Sequence, residues 1–419
     1  MTLRALMPAR PSDGWASFGL GARAVEYRVL LALVTIQGFA WFLVFPLMPL
    51  YARNLGAEPA LIGFLMAFPA VFQVILCLPG GMLVRRLGEK GVFFLSFAFG
   101  IGAAVAYYSA HRVEMLFLGQ MLFGASHAVF WPALTSYLGD LGSGLASGGG
   151  RLISFALGLN AVSYLAGPPL AGYLMEGVGS RYIFLLYLLV CLVGWERLRL
   201  LVRSDATGSI DRGIASAAAS SGVGGLFGIP TFRFVVIGTW FSFASWGILD
   251  TLFPLHVIDL GYAPSALGLM LTLRSVVIVV CRFGAAGLGE ILGFRRVAVL
   301  GLGLLSVSLL VLARAQAPWL LILASSVAGA GPGLLPVANI TLLAGTLSGA
   351  MRPLGMAVNE LFVGTGRLVG SSLSGIGAAA FGMGLTIGSA GGALAGAAAI
   401  MAAFAFRIPA DGSTGFSGE

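Results

Sequence analysis

The sequence predicts an all-α membrane protein in which twelve transmembrane helices form two pseudo-symmetric six-helix bundles. Of the 419 residues, 58% are hydrophobic and only 10% are charged, whereas a soluble domain carries about 25% charged residues. A very apolar soluble protein is excluded, because it would have too little polar surface to cover its core. The 62 glycines fit close packing of helices in lipid, where small residues let backbones approach each other.

Roughly twelve apolar runs are each long enough for a helix that crosses the membrane, which takes about 20 residues. A polar segment, rich in Ser, Gly and Ala, divides them into two groups of six, and we interpret it as a linker. The expected divisions are a cytoplasmic segment 1–28, a first bundle 29–202, the linker 203–231, a second bundle 232–406 and a cytoplasmic tail 407–419. The runs are 29–51, 60–84, 92–110, 114–138, 152–176, 182–202, 233–257, 265–288, 297–313, 318–346, 354–380 and 384–406.

Two short charged turns recur at a fixed distance along the chain. Residues 81–90 lie between the second and third runs, and residues 286–295 lie between the eighth and ninth. Gly88 of the first turn corresponds to Gly293 of the second, 205 positions later. A basic, glycine-containing turn of this length is too short to form a domain, so we expect each turn to join two helices at one membrane face.

Further matches extend this repeat along both halves of the chain. Several matches in the same order, at a nearly constant offset of 203 to 205 positions, indicate an internal duplication. Two parallel repeats are a transporter architecture, in which the substrate site is expected at the repeat interface near the middle of the bilayer. The matched pairs are Pro59 with Pro264, Gly63 with Gly268, Pro132 with Pro336, and Gly172 with Gly375.

The basic residues predict the orientation in the membrane. A cytoplasmic N-terminus places 17 Arg and Lys on inner segments and four on outer segments. The positive-inside rule then puts both termini, both charged turns and the linker in the cytoplasm, and we expect a multi-pass protein of the cell (inner, cytoplasmic) membrane. Because the basic residues are scattered between apolar runs and form no patch, nucleic acid is not an expected partner.

The first charged turn resembles the loop between the second and third helices of the major facilitator superfamily, and the resemblance extends over nearly the whole chain. That family's pattern is Gly-x-Leu-x-Asp-Arg-x-Gly-Arg-Lys. In this sequence it is matched by Gly81, Leu83, Arg86, Gly88 and Lys90. The resemblance implies two six-helix bundles and a secondary transporter that works by alternating access.

Arg85 departs from this pattern, because it stands where the family has an acid that helps to lock the outward-open state. In the second turn Glu290 keeps an acid at the equivalent position. We therefore expect the gating charge to have moved to the second half. The predicted gating residues are Gly81, Arg85, Arg86, Gly88, Glu290, Gly293 and Arg295.

The fifth run resembles the fifth-helix signature of the family's exporters. Gly158, Gly167, Pro168 and Gly172 carry the resemblance, with Ala171 where a Gly is usual. Glycine allows helices to cross closely, and proline frees a backbone carbonyl and allows a kink. The resemblance favours efflux over uptake.

Charged residues inside the apolar runs are the main candidates for a site, because each costs about 2.5–3.5 kcal/mol at the centre of a membrane helix. Their depths predict an outer cluster of Asp250, Arg274 and Arg367 and an inner cluster of Glu360 and Arg282. Three Arg against two acids leave one positive charge over, which favours an anionic or zwitterionic substrate. The alternative is that each charge only neutralises another.

Uncharged polar residues and aromatic residues add further candidates. His127 lies at a depth where a titrating imidazole would serve ion coupling, although a lone His in an apolar helix is more often a packing residue. Gln120, Asn160 and Asn339 either form hydrogen bonds in a cavity or hold helices together. The tryptophans, Trp41 among them, either line an aromatic cavity or face lipid.

The sequence thus predicts a secondary active transporter of a small organic solute, which is amphiphilic, anionic or zwitterionic. Export is the preferred direction and proton coupling is an option. Uptake by symport or facilitation is the first alternative, and a receptor or scaffold of the same fold is the second. An enzyme and an ATP-driven pump are not expected, because no catalytic, metal-binding or Walker motif is present. We expect a monomer in the lipid bilayer, with protons or another coupling ion as partner and without cofactor or metal.

Overall fold

The structure is a computed structural model that describes residues 24–142, 150–201, 222–347 and 351–407. Within these ranges the chain folds into helices joined by short turns, and no strand is present. Most of the expected N-terminal segment, most of the linker and nearly all of the expected tail lie outside the described residues.

Six membrane spans form the first bundle. Spans 2 and 3 are the two parts of one long helical segment that changes direction at Gly88, where the backbone is not helical (φ 70°, ψ 162°). Span 1 is Ala24–Val44, a 3-10 turn at Phe45–Leu47 and Met48–Asn54; spans 2 and 3 are Pro59–Tyr108; span 4 is Val113–Gly142; span 5 is Gly150–Ser163 and Gly167–Gly177; span 6 is Ser180–Arg197, followed by a 3-10 turn at Leu198–Leu200.

The second bundle repeats this order of six spans after a short helix, Gly222–Phe227. Spans 7, 8 and 10 each have a proline in their first turn, where its missing N–H has no partner to lose. Span 7 is Pro230–Asp259, span 8 is Pro264–Leu292, span 9 is Phe294–Leu312, span 10 is Pro318–Ala328 and Ala330–Thr346, span 11 is Met351–Phe381, and span 12 is Met383–Arg407.

The number of spans agrees with the twelve predicted runs. Nine helical segments of the described ranges are long and apolar enough to cross a membrane. The other three are span 5, which is broken after Ser163, and spans 6 and 11. Large apolar side chains on the outside, such as Leu385 and Phe381 at 72% exposure each, fit contact with lipid. The predicted fold class is confirmed.

The two bundles meet at two places that we call the glycine crossings. Spans 2 and 11 cross where a Cβ on Gly63 would lie 2.6 Å from the Cα of Gly375. Spans 5 and 8 cross where a Cβ on Gly268 would lie 2.7 Å from the carbonyl oxygen of Pro168. Non-bonded heavy atoms normally lie about 3.5–4.0 Å from a carbon, so only glycine fits at these positions.

The glycine crossings are equivalent under the internal repeat. Gly63 of span 2 corresponds to Gly268 of span 8, and Gly375 of span 11 corresponds to Gly172 of span 5. In each crossing, the glycine of span 5 or span 11 faces the carbonyl group of the proline that begins the other span. The duplication predicted from the sequence therefore produces two matching contacts between the bundles.

One membrane face is closed by contacts between the bundles. We call the face with the two charged turns the turn face and the opposite one the far face; spans 2 and 8 begin at the far face, close to the glycine crossings. There Arg53, at the end of span 1, forms an ion pair with Asp259, at the end of span 7. The carboxylate of Glu176 on span 5 also accepts a hydrogen bond from the Ser265 N–H of span 8 (3.2 Å). Together these contacts join the two halves at the far face.

The two charged turns share one backbone feature. Gly88 has a φ of 70° and Gly293 has a φ of 86°. Side chains of L residues rarely adopt this left-handed region, so both turns need glycine at the position that the repeat matches.

The charged side chains on these turns differ in their surroundings. Arg86 and Glu290 are exposed. Arg295 donates a hydrogen bond from Nη2 to Thr231 Oγ1 at 3.0 Å. The side chain of Arg85 lies outside what the structure describes, so its gating role stays a prediction.

Candidate functional site

Arg367 of span 11 lies between the two bundles and is 9% exposed. Four aromatic rings surround its guanidinium carbon, at 5.4 to 6.0 Å from the ring centroids. Trp41 and Phe45 belong to span 1, and Phe243 and Trp246 belong to span 7. We call these four rings the aromatic cage. Because span 1 is in the first bundle and spans 7 and 11 are in the second, the cage exists only where the bundles meet.

Glycines bring span 11 close enough to span 7 to form the cage. A Cβ on Gly366 would lie 2.6 Å from the carbonyl oxygen of Trp240, and a Cβ on Gly247 would lie 2.7 Å from the carbonyl oxygen of Arg367. The two backbones are thus in direct contact beside the site. This close approach explains why Arg367 sits among the rings of span 7.

The rings stabilise the charge of Arg367 but leave its hydrogen-bond donors unused. A cation over an aromatic face gains about 0.5–2 kcal/mol from the ring quadrupole. The rings offer no acceptor in the guanidinium plane, and the buried Nε of Arg367 has no hydrogen-bond partner among the described residues. A buried donor without a partner costs about 1–3 kcal/mol, so an acceptor that enters the cage is stabilised. Carboxylates and other oxyanions match the planar fork of donors on a guanidinium.

A buried ion pair lies beside the cage. Arg274 Nη2 of span 8 donates a hydrogen bond to Asp250 Oδ1 of span 7 at 2.8 Å, and their side chains are 5% and 7% exposed. Asp250 also acts on Arg367 electrostatically, without a hydrogen bond between them. The predicted outer cluster therefore divides: Asp250 and Arg274 neutralise each other, and Arg367 is the positive charge left over.

The predicted inner cluster of Glu360 and Arg282 is not formed. No ion pair between described residues joins them. The guanidinium of Arg282 lies instead over the ring of Tyr164 on span 5, at 5.9 Å from its centroid. The pair fails to form because of the direction of the Arg282 side chain and not because of its depth. This side chain faces the other bundle across the interface.

Glu360 and Arg367 share one face of span 11. They are seven residues apart, which is about 10 Å along a helix. Glu360 is exposed and nearer the turn face, whereas Arg367 is buried and deeper. A dipolar solute of that length would place its cationic group at Glu360 and its anionic group at Arg367. A smaller anion needs only the Arg367 end.

His127 of span 4 lies against the back of the site. Its ring packs against Trp41 with 4.2 Å between the ring centroids and an angle of 40° between the ring planes. Its Nε2 accepts a hydrogen bond from Trp131 Nε1 at 2.8 Å. Trp41 thus contacts both the half-buried His127 and the buried Arg367.

The three predicted amides hold helices together. Gln120, which is fully buried in the first bundle, accepts a hydrogen bond from the Tyr107 hydroxyl (2.9 Å). Asn160 Nδ2 donates to the Val34 carbonyl oxygen (3.2 Å). Asn339 Nδ2 donates to Thr239 Oγ1 (3.0 Å), within the second bundle. None of these three contacts involves the cage.

The glycines predicted as a fifth-helix signature position span 5 against its neighbours. The span is interrupted after Ser163 and resumes at Gly167, with Pro168 in the first turn of the second part. A Cβ on Gly167 would lie 2.8 Å from the main-chain carbon of Phe42. Gly172 forms the crossing with span 8, and a Cβ on Gly158 would lie 3.4 Å from the Phe283 ring.

Sequence reasoning missed part of this site. Phe45 and Phe243 were not among the candidates, although each lies three or four residues from a cage tryptophan on the same helix. The ion pair of Arg53 and Asp259 was missed as well. The signal for it was two opposite charges at the ends of spans 1 and 7, which the repeat makes near equivalents.

The sequence matches one family of known proteins along both halves. A model of the Major Facilitator Superfamily matches residues 30–232 and 235–419. The chain belongs to this superfamily. The proteins of this superfamily are transporters and not enzymes, and the apolar spans make this superfamily member a multi-pass membrane protein.

Curated relatives match part of this superfamily member. The probable nitrate transporter NarT of Staphylococcus carnosus (strain TM300) is 31% identical over 167 residues, which are 38% of this chain and 41% of the relative. Multidrug resistance protein 1 of Bacillus subtilis (strain 168) is 29% identical over 168 residues, 38% of this chain and 40% of the relative. The alignments thus span about two fifths of the length of these relatives.

A solved structure shares the fold over nearly the whole length. A POT family transporter in complex with 5-aminolevulinic acid superposes with a TM-score of 0.76, over 93% of this chain and 96% of that chain. The two sequences are 12% identical. The match establishes a transporter fold of two six-helix bundles for this superfamily member.

Proposed function

We propose that this superfamily member is a secondary active transporter that moves a small anionic or zwitterionic solute by alternating access. The observation that carries the proposal is the guanidinium of Arg367, which is buried between the bundles while its Nε lacks a hydrogen-bond partner in the described residues. A site at the interface of two parallel repeats is where such transporters bind their substrates.

The distribution of contacts supports alternating access. The glycine crossings and the ion pair of Arg53 and Asp259 join the bundles at the far face. Glu360, on the turn-face side of Arg367, is exposed. With the orientation that the basic residues predict, the turn face is cytoplasmic, and this arrangement corresponds to an inward-facing state in the cytoplasmic membrane.

Nitrate is the first anion to test. The relative NarT is described as a probable nitrate transporter, although the alignment covers only two fifths of it. Nitrate is planar, and a planar guanidinium can donate hydrogen bonds to two of its oxygens at once. Sulfate, acetate and lactate extend the panel to a larger charge and to carboxylates.

The direction of transport has two candidates, each favoured by one observation. The glycines and Pro168 of span 5 favour export, because they resemble the signature of exporters. An anion without a companion ion is also driven outward by a negative interior, at about 2.3 kcal/mol per charge and 100 mV. Uptake is favoured by the contact of His127 with the cage, because a titratable group beside an anion site allows a proton to accompany the anion.

The test is counterflow in proteoliposomes with the four anions, first without and then with a pH gradient. Arg367→Gln is expected to weaken anion binding about 10- to 100-fold, since a hydrogen bond to a charged group contributes about 1.5–3 kcal/mol. The matched control is Arg112→Gln, which removes an exposed arginine at the far face and is expected to leave counterflow unchanged.

Three outcomes separate the candidate functions. Loss of counterflow in Arg367→Gln, with normal counterflow in Arg112→Gln, supports the anion site. Equal counterflow in the wild type and Arg367→Gln contradicts it. Binding of an anion without any movement across the membrane replaces the transporter with a receptor of the same fold.

A further inference from the structure

His127 is a titratable side chain that packs against the aromatic cage, on the side of the first bundle. Its ring contacts the ring of Trp41, whose centroid lies 5.7 Å from the guanidinium carbon of Arg367. We propose that His127 takes up a proton when an anion binds at Arg367, so that the proton and the anion are carried across the membrane together. This inference rests on the proposed anion site and adds the coupling ion and the residue that carries it.

The hydrogen bond from Trp131 defines the protonation state without an anion. Trp131 Nε1 is a donor only, and it lies 2.8 Å from His127 Nε2. The other ring nitrogen, Nδ1, lies farther from Trp131 Nε1, at 3.4 Å. The shorter contact makes Nε2 the acceptor, which assigns the proton of a neutral imidazole to Nδ1. Protonation of Nε2 requires that this hydrogen bond breaks, so the two states of His127 differ in geometry as well as in charge.

The charge balance at the cage links the proton to the anion. Asp250 is neutralised by Arg274, and Glu360, about 10 Å away along span 11, is the other acid that acts on Arg367. The positive charge of Arg367 acts on His127. Burial of His127 opposes its protonation first, and the positive charge of Arg367 on the other side of the Trp41 indole opposes it further while the site is empty. A bound anion cancels the charge of Arg367 and removes the second of these two effects. By reciprocity, protonated His127 strengthens anion binding by the same factor.

The side chains around His127 favour Arg367, over other charged groups, as the one that controls the protonation of His127. Among the described residues, Arg367 is the charged group that acts on His127. On span 1 the neighbouring polar side chain is the uncharged Gln37, which donates to Ser126 Oγ at 3.5 Å. Glu26 lies beside Tyr137, and Tyr137 is ten residues, or about 15 Å, away from His127 along span 4. The phenol of Tyr164 on span 5 acts on Arg367 instead.

The link predicts the direction of transport. An anion that moves alone is expelled by a negative interior, whereas a monovalent anion such as nitrate that moves with one proton forms a pair without net charge. The pair then follows the proton gradient, which is directed inward across an energised membrane. The inference therefore predicts proton-coupled uptake and not the export that the span 5 signature favours.

The experiment measures proton uptake on anion binding in the purified full-length protein. Nitrate, sulfate, acetate and lactate are added in turn at pH 6 to 7 in weak buffer with a pH indicator, and the apparent Kd is measured at several pH values. The wild type is expected to take up as much as one proton per protein and to bind the anion up to about tenfold more tightly for each unit that the pH falls. His127→Gln is expected to bind the anion without proton uptake and with a Kd that does not change with pH.

His256→Gln is the matched control, because His256 lies three residues before the far-face end of span 7, where it interacts with the main chain of Ala315 and with Asp259. It is expected to behave like the wild type. Trp131→Phe keeps the aromatic packing but removes the donor that occupies Nε2, so its pH profile is expected to move to higher pH. This variant tests the inference even if His127→Gln does not fold.

The outcomes distinguish this inference from the proposed function. Anion binding that depends on Arg367 but takes up no proton, or proton uptake that survives in His127→Gln, overturns the role of His127 and leaves the anion site standing. Failure of all four anions to bind in a manner that depends on Arg367 overturns both.

Discussion

Arg367 is held by side chains that come from two distant parts of the chain. Trp41 and Trp246 lie 205 positions apart, the same offset that relates the two charged turns. Each has a phenylalanine three or four residues away, Phe45 or Phe243, and residues at this spacing share a helix face. The duplicated halves therefore supply two similar aromatic pairs, while only the second half supplies the cation between them.

Asp250→Asn is expected to destabilise the protein more than any exposed charge change. It leaves Arg274 buried without its partner, and breaking a buried pair in this way costs about 3–5 kcal/mol. Thermal unfolding in detergent measures the change in Tm. Addition of Arg274→Gln should recover much of the loss, because no unpaired charge then remains.

The control for this prediction is Asp259→Asn, which breaks the ion pair with Arg53. Asp259 is 45% exposed, and such pairs contribute about 0–1 kcal/mol. An equal fall in Tm for Asp250→Asn and Asp259→Asn would show that the buried pair contributes no more than the exposed one.

At the level of residues, the sequence predicted the depth of a charged side chain in the membrane better than the direction in which it leaves its helix. Helical rise placed Asp250 and Arg274 at a common depth, and the structure brings them together. The same reasoning grouped Glu360 with Arg282, but Arg282 lies over Tyr164. The direction in which a side chain leaves its helix depends on how that helix is rotated against its neighbours, and hydropathy carries little information about that rotation.

At the level of helices, the glycine crossings hold the bundles together at the far face. Gly63→Val is expected to separate spans 2 and 11, because even a Cβ at this position would lie 2.6 Å from the Cα of Gly375. The population open at the far face should rise. Spin labels on cysteines at Arg112 and Arg314, exposed residues of the two bundles at that face, report it as a longer distance.

Gly392→Val on span 12 is the matched control, because a Cβ there meets no atom within 4 Å. It should leave the label distance unchanged. An unchanged distance in Gly63→Val as well would mean that the crossing does not hold the far face closed.

The extent of the helices was predictable, but their interruptions were not. Apolar runs found all twelve spans, because the length of a membrane helix is set by the bilayer. The 3-10 turn at Phe45–Leu47 and the break after Ser163 lie inside such runs. Hydropathy does not detect these interruptions, since a change in backbone geometry need not change the polarity of the sequence. Only Pro46 and the Gly167–Pro168 pair indicated where they lie.

At the scale of the whole molecule, the ion pair of Arg53 and Asp259 connects the bundles through charge. Asp259→Asn is expected to increase the population open at the far face by up to about fivefold, the ratio that corresponds to 1 kcal/mol. High salt should have the same effect on the wild type, because it screens exposed charges. The label pair at Arg112 and Arg314 measures both.

Glu114→Gln is the control, because it removes an exposed acid at the far face that forms no ion pair with another described residue. Its label distances should match those of the wild type at both salt concentrations. If high salt increases the population open at the far face equally in Asp259→Asn and in the wild type, contacts other than this ion pair close the far face.

The glycine crossings also bear on how fast the bundles can part. Most helix interfaces interlock through side chains, which must change rotamer before the helices separate. At Gly63, Gly375, Gly172 and Gly268 one backbone rests directly on another, with no side chain between them to rearrange. The helices can separate there without a change of rotamer, so the activation barrier comes from the loss of van der Waals contact between the two backbones. The far face can therefore be tightly shut at equilibrium and still open often.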